Sequence, residues 1–111
     1  MAGSEGSPSP PVVSARLIVA EAAEADLRAN FAWYEERSPG LGRAFFASVE
    51  TKLSLIAQSP QIFRQRIGPY RLAATERFPF AIYFIWDERN AIVSVRRILH
   101  FKQNRQPRLR D

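Results

Sequence analysis

Four residues in the second half of this 111-residue chain are of types that together can cleave RNA: Arg71, Tyr83, Arg96 and His100. Attack by a 2′-hydroxyl on its own phosphodiester needs a base for the hydroxyl, an acid for the leaving oxygen and a cation for the charge that builds on phosphorus. His100 suits the acid or base role, Arg71 or Arg96 the cationic clamp, and Tyr83 a stacking platform for a base. Arg77, Lys102 and Arg105 would stand at the rim of such a site. Each residue also has a plain structural reading. A histidine near a strand end is commonly structural, arginines on a sheet discourage edge pairing, and Tyr83 fits half-buried packing.

Composition narrows the chemistry further. The chain has no cysteine and one histidine, which excludes a disulfide scaffold, a thiol nucleophile and a thiolate zinc site, and argues against a histidine metal cage. No metal and no cofactor is expected. The net charge of +5 is uneven. Residues 1–60 hold five Lys/Arg against seven Asp/Glu, and residues 61–111 hold eleven against four. A basic second half points to a polyanionic partner such as nucleic acid, a nucleoprotein or an acidic protein segment, with a solvated arginine-rich surface as the plain alternative. Apolar runs are shorter than the stretch of about 20 that crosses a bilayer, and the first residues lack the layout of a secretory signal. The expectation is a cytoplasmic protein with no membrane partner.

The elements that must position these residues follow from periodicity. Residues 1–13, rich in Gly, Ser and Pro, read as a disordered leader, native or added for expression. Residues 14–107 form one domain, and 108–111 a flexible tail. Ala15–Ala20 is a strand candidate. Glu21, Glu24 and Asp26 crowd a helix start, where carboxylates favour the positive end of the dipole. Leu27, Phe31 and Tyr34 continue that helix as one stripe to about Arg37. In Ser38-Pro39-Gly40 the serine can cap the next helix with proline in its first turn. The second stripe is Leu41, Phe45, Val49, Leu53 and Ile56, and Pro60 stops the helix near Gln58. Two amphipathic helices with so short a link make an antiparallel hairpin.

From Tyr70 onward the period becomes alternating. Tyr70–Glu76, Phe80–Trp86 and Ala91–Leu99 are strand candidates joined by short links, so consecutive antiparallel pairing is predicted. The result is an α+β fold, β-α-α-β-β-β, with a helical hairpin on one face of an antiparallel sheet. Alternation then assigns the open face. Leu72 and Ala74 point to the core and Arg71, Ala73 and Thr75 away from it. Tyr83 turns outward with Ala81 and Ile85. Ala91, Val93, Val95 and Leu99 face the core, and Ser94, Arg96 and His100 face out. Arg71, Tyr83, Arg96 and His100 thus converge on the open face. Arg97 falls in the core register and needs an edge or an acidic partner.

Several stretches resemble a known family. A-A-E-A-D-L at Ala22–Leu27, I-A-Q-S-P at Ile56–Pro60, R-L-A-A-T-E-R-F-P-F-A-I-Y-F at Arg71–Phe84, and V-R-R-I-L-H at Val95–His100 with a basic segment and Pro107 after it are similar to toxins of the RelE/ParE superfamily. The resemblance spans about Ala15 to Pro107. It implies the toxin half of a type II toxin–antitoxin system, a compact α+β protein that inhibits growth and is neutralised by a cognate antitoxin. RelE-like members cleave messenger RNA at the ribosome; ParE-like members, including plasmid stabilisation proteins, inhibit DNA gyrase and are not nucleases. The S-P helix stop and the R-F-P-F turn resemble the ParE-like branch. One departure is Gln103, where the family pattern has an arginine, with Lys102 and Arg105 near it.

Three readings result. The leading one is a ParE-like gyrase inhibitor that performs no chemistry itself, its antitoxin and target contacts drawn from Arg71, Arg77, Arg96, His100, Lys102 and Arg105. The others are a ribosome-dependent mRNA endoribonuclease using Arg71, Tyr83, Arg96 and His100, and a non-toxic basic nucleic-acid-binding module. A dimer or a higher toxin–antitoxin assembly is compatible with all of this.

Overall fold

The computed structural model of the chain describes residues 14–101. Strand β1 (Arg16–Val19) leads into helices α1 (Glu21–Arg37) and α2 (Leu41–Gln58). A short 3-10 turn (Pro60–Ile62) follows, then strands β2 (Gln65–Ile67), β3 (Tyr70–Ala74), β4 (Phe80–Asp87) and β5 (Ile92–His100). The five strands form one sheet in the order β1-β5-β4-β3-β2. The α+β class and the hairpin on one face are as the sequence predicts. The sheet, however, is mixed. β1 pairs in parallel with β5, Leu17 opposite Val93 and Val19 opposite Val95, while the other pairings are antiparallel. β2, absent from the sequence reading, adds a short exposed strand at the far edge.

α1 opens at Ala20, whose side chain makes no cap. Glu21 and Glu24 in the first turn and Arg37 in the last complement the helix dipole instead. The link to α2 differs from the expected serine cap. The N-cap of α2 is Gly40, in the left-handed region at φ 90°, where a side chain would be strained. The acceptor comes from the preceding helix: the Gly40 and Gly42 amides donate to the two oxygens of Glu35, each at 2.8 Å. These bonds hold the Glu35 carboxyl below its ordinary pKa. A carboxylate from one helix thereby caps the next and sets the hairpin angle. Gly42 is also the point of closest approach, since a Cβ there would lie 2.6 Å from the Phe31 carbonyl oxygen.

The core lies between the hairpin and the sheet. Ala23, Phe45, Val49 and Ile56 come from the helices, and Ala73, Phe78, Phe80, Ile82, Phe84, Val93, Val95 and Ile98 from the sheet side. Aromatic rings dominate one end, with Tyr34 edge-on to Phe78 at 4.9 Å and Phe45 tilted against Phe80 at 4.8 Å. Such pairs add to area burial through their quadrupoles. Phe31, placed by its spacing in the core stripe, instead lines a surface groove with Leu27 and Phe46.

Candidate functional site

The four residues predicted to converge are split between the two sides of the sheet. β4 presents Phe80, Ile82 and Phe84 to the helices, which leaves Ala81 and Tyr83 on the open side with Leu72 and Leu99. Tyr83 therefore lies where alternation put it. Arg96 joins it there, donating from Nε to Ser94 Oγ at 3.1 Å. Arg71 and His100 do not.

His100 is displaced by a β-bulge. Phe84 pairs with Val95 but Tyr83 pairs with Arg97, so Arg96 is an extra residue on β5. One inserted residue exchanges inward and outward for everything after it. Ile98 becomes fully buried core and Leu99 turns to the open face. His100 faces inward opposite Phe80, its ring edge-on to that phenyl at 5.1 Å. The sequence does carry the signal. The core residues run Val93, Val95, Ile98, so the apolar spacing changes from two to three across Arg96-Arg97.

Arg71 is displaced by a wrong phase on β3. Ala73, not Leu72, is the core residue, and Arg71 shares its register face, opposite Phe84. Its Nη1 donates to the Phe63 carbonyl oxygen at 2.6 Å, and its Nε is buried with no hydrogen-bond partner. Thr75 is likewise buried, donating its hydroxyl to the Phe78 carbonyl in the β3–β4 turn. Leucine misled the phase because both faces of β3 and β4 are apolar. Arg71 and His100, registered against Phe84 and Phe80, stand roughly 16 Å apart by strand geometry. Arg77 is exposed in the turn after β3, its guanidinium 5.5 Å from the Phe78 ring centre. Lys102 and Arg105 lie outside the described residues.

The bulge also takes Arg97 out of the core register expected for it and sets it opposite Tyr83, and it meets an acidic partner at the sheet edge. β1 ends opposite Val95, so the β5 backbone beyond it is an open edge. Asp26 of α1 fills the gap, accepting from Arg97 Nε at 2.8 Å, Arg97 Nη2 at 3.0 Å and the Ile98 amide at 2.9 Å. The carboxylate replaces a missing strand and fastens α1 to β5. Hydrogen bonding to Asp26 raises the Arg97 pKa above its ordinary value. Burial alone raises the Tyr83 hydroxyl pKa, which disfavours the phenolate a general base would need.

The open face is thus a small apolar surface, Leu72, Ala81, Tyr83 and Leu99, with Arg96 beside it. It offers contact area and no acid–base pair. Among the described residues no cluster of His, Asp and Glu could hold a metal ion, and no helix is long and apolar enough to cross a membrane.

The sequence profile of the ParE toxin of type II toxin–antitoxin systems, parDE, matches residues 17–105. The chain belongs to the ParE toxin family. Among solved structures it is similar to the chromosomal ParDE system of P. aeruginosa, with 19% identity and a TM-score of 0.69 over 78% of this chain and 96% of the other. It is also similar to the toxin–antitoxin complex RelBE2 of Mycobacterium tuberculosis, with 17% identity and a TM-score of 0.55 over 79% of this chain and 99% of the other. No curated protein matches it in sequence.

Proposed function

We propose that this ParE-family protein arrests growth by binding DNA gyrase in the cytoplasm, catalyses no reaction itself, and is held inactive by a cognate antitoxin. The observation that carries this reading is the bulge at Arg96. It withdraws His100 from the face that holds Tyr83, while the register of β3 withdraws Arg71. A ribonuclease of the kind outlined from the sequence would need these groups around one phosphate. What remains on the open side is apolar area with a cation beside it, the composition of a contact surface. Exposed Arg77 and half-exposed Arg96 are the proposed contacts for acidic groups of the antitoxin or target, joined by Lys102 and Arg105 from the tail.

The test is biochemical. The purified chain is expected to inhibit supercoiling of relaxed plasmid by gyrase in proportion to its concentration, with relief on adding the antitoxin encoded beside it. Under the same conditions messenger RNA on translating ribosomes stays intact. Unimpaired supercoiling together with cut transcripts would replace this reading with the RelE-type endoribonuclease that the RelBE2 likeness leaves open.

A further inference from the structure

A recess of about 210 Å³ opens between α1 and the end of β5, lined by Asn30, Trp33, Tyr34 and His100. It differs in kind from the larger grooves. The groove beside Phe46 is almost wholly apolar, and the one between β1 and α2 is lined by aliphatic, hydroxyl and carboxylate side chains without an aromatic ring. Here three aromatic rings meet one amide, and no carboxylate lines the space. Its volume falls below the about 300–1,000 Å³ that encloses a whole drug-sized ligand, so it suits a single planar ring.

The surroundings indicate what carries that ring. Trp33 is 48% exposed, so part of its indole can be reached from solvent. Arg37 covers one face of it, with its guanidinium 3.8 Å from the ring centre, and so brings a positive charge to the rim. Tyr34 stands edge-on to Trp33 at 5.1 Å and edge-on to Phe78 at 4.9 Å. Arg77 lies over that same Phe78 and puts a second cation at this end. Asn30 spends an amide hydrogen on the Asp26 carbonyl at 2.8 Å, which fixes the side chain and leaves its own oxygen as an acceptor. Aromatic platforms flanked by arginines, with an anchored amide, are the means by which proteins hold an unstacked base and its phosphates.

We propose that this recess is a nucleobase pocket, taking one unstacked base of a single-stranded nucleic acid against Trp33, Tyr34 and His100 while Arg37 and Arg77 meet the flanking phosphates. The pocket lies on the helix side of the sheet, away from the open face, and involves no bond cleavage. It goes beyond the gyrase reading and does not depend on it. Growth arrest and supercoiling test that reading, and nucleic-acid binding in isolation tests this one.

The experiment is fluorescence anisotropy with the full chain and a labelled ten-nucleotide single-stranded DNA, compared with a duplex of the same length. The single strand is expected to bind more tightly than the duplex. Trp33→Ala should weaken it about tenfold, the range of one lost base stack, while Trp33→Phe keeps most of the affinity. Arg37→Gln should flatten the dependence on salt. A direct readout accompanies these: in a Trp86→Phe background Trp33 is the sole indole, and its emission should be quenched by the single strand. Duplex binding as tight as single strand, unchanged affinity in Trp33→Ala, or unquenched Trp33 emission would overturn the proposal. So would loss of antitoxin binding in Trp33→Ala in a chain that ignores oligonucleotides, which would make the recess an anchor for a protein side chain.

Discussion

The side of the sheet under the helices and the side opposite it are built for different purposes. The covered side stacks Phe45, Phe80, Phe84, Ile82, Ile98 and three valines at no more than 1% exposure. Its helices are held by two carboxylates, Glu35 across the hairpin and Asp26 onto β5. Among the described residues, the open side brings four apolar residues into contact, Leu72, Ala81, Tyr83 and Leu99. Stability resides in the first and contact in the second. Where chemistry was expected on the open side, the bulge at Arg96 turned His100 away and the register of β3 turned Arg71 away, half of the groups it required.

Substitutions measure that contrast. Phe45→Ala opens a fully buried ring site and is expected to cost about 3–5 kcal/mol by denaturant unfolding. Leu99→Ala, on the thin open layer, should cost about 2 kcal/mol, the lower end for such truncations. Equal losses would mean that the two faces are equivalent cores, and the contrast would fail. Asp26→Ala leaves the Ile98 amide and the Arg97 guanidinium without their acceptor and should cost about 1–3 kcal/mol. The same variant should speed amide exchange at Ile98 before the rest of β5; exchange unchanged there would remove the strand-replacement role.

The same contrast extends to the hairpin joint. Gly42→Ala forces a methyl to within 2.6 Å of the Phe31 oxygen and 2.8 Å of Glu35 Oε1. The cost should be about 1–3 kcal/mol, despite alanine's better helix propensity. A variant as stable as the parent would show that the helices can part without loss. The smallest effect concerns pH. The folded Glu35 carboxyl sits below its ordinary value of 4.5 because the Gly40 and Gly42 amides donate to it. Its contribution is therefore complete above that value and is lost as pH falls through the lowered folded value. Glu35→Gln should flatten the decline of melting temperature on the acid side, and an identical acid limb would refute the capping role.

Much of the fold was legible because its signals are local. Stripes at spacings of four and three fix both helices, and Ser38-Pro39-Gly40 marks their joint, although Glu35 rather than Ser38 caps it. β1 was legible as a strand, but its parallel partner β5 is more than seventy residues away, and no local pattern encodes that. β2, with the residues Gln65-Arg66-Ile67, is too short and polar to show a period of two. The candidate site was the least legible part. Alternation assigns faces only while the register is unbroken, and the extra residue at Arg96 reverses it just before His100. On β3 the two faces are both apolar, so Leu72 and Ala73 gave opposite answers and the larger residue gave the wrong one. Trp33 and Arg37 were passed over because one helical turn of an aromatic and an arginine reads as ordinary surface.

The central claim is that this ParE-family chain acts on DNA gyrase by binding and not by cutting RNA. It is tested most directly by inducing the chain in bacteria and following DNA and protein synthesis separately by pulse labelling. The account predicts that DNA synthesis fails first with a damage response, and that Tyr83→Phe and His100→Ala leave this arrest intact. Protein synthesis failing first, with cleaved transcripts that disappear in the His100→Ala variant, would contradict it.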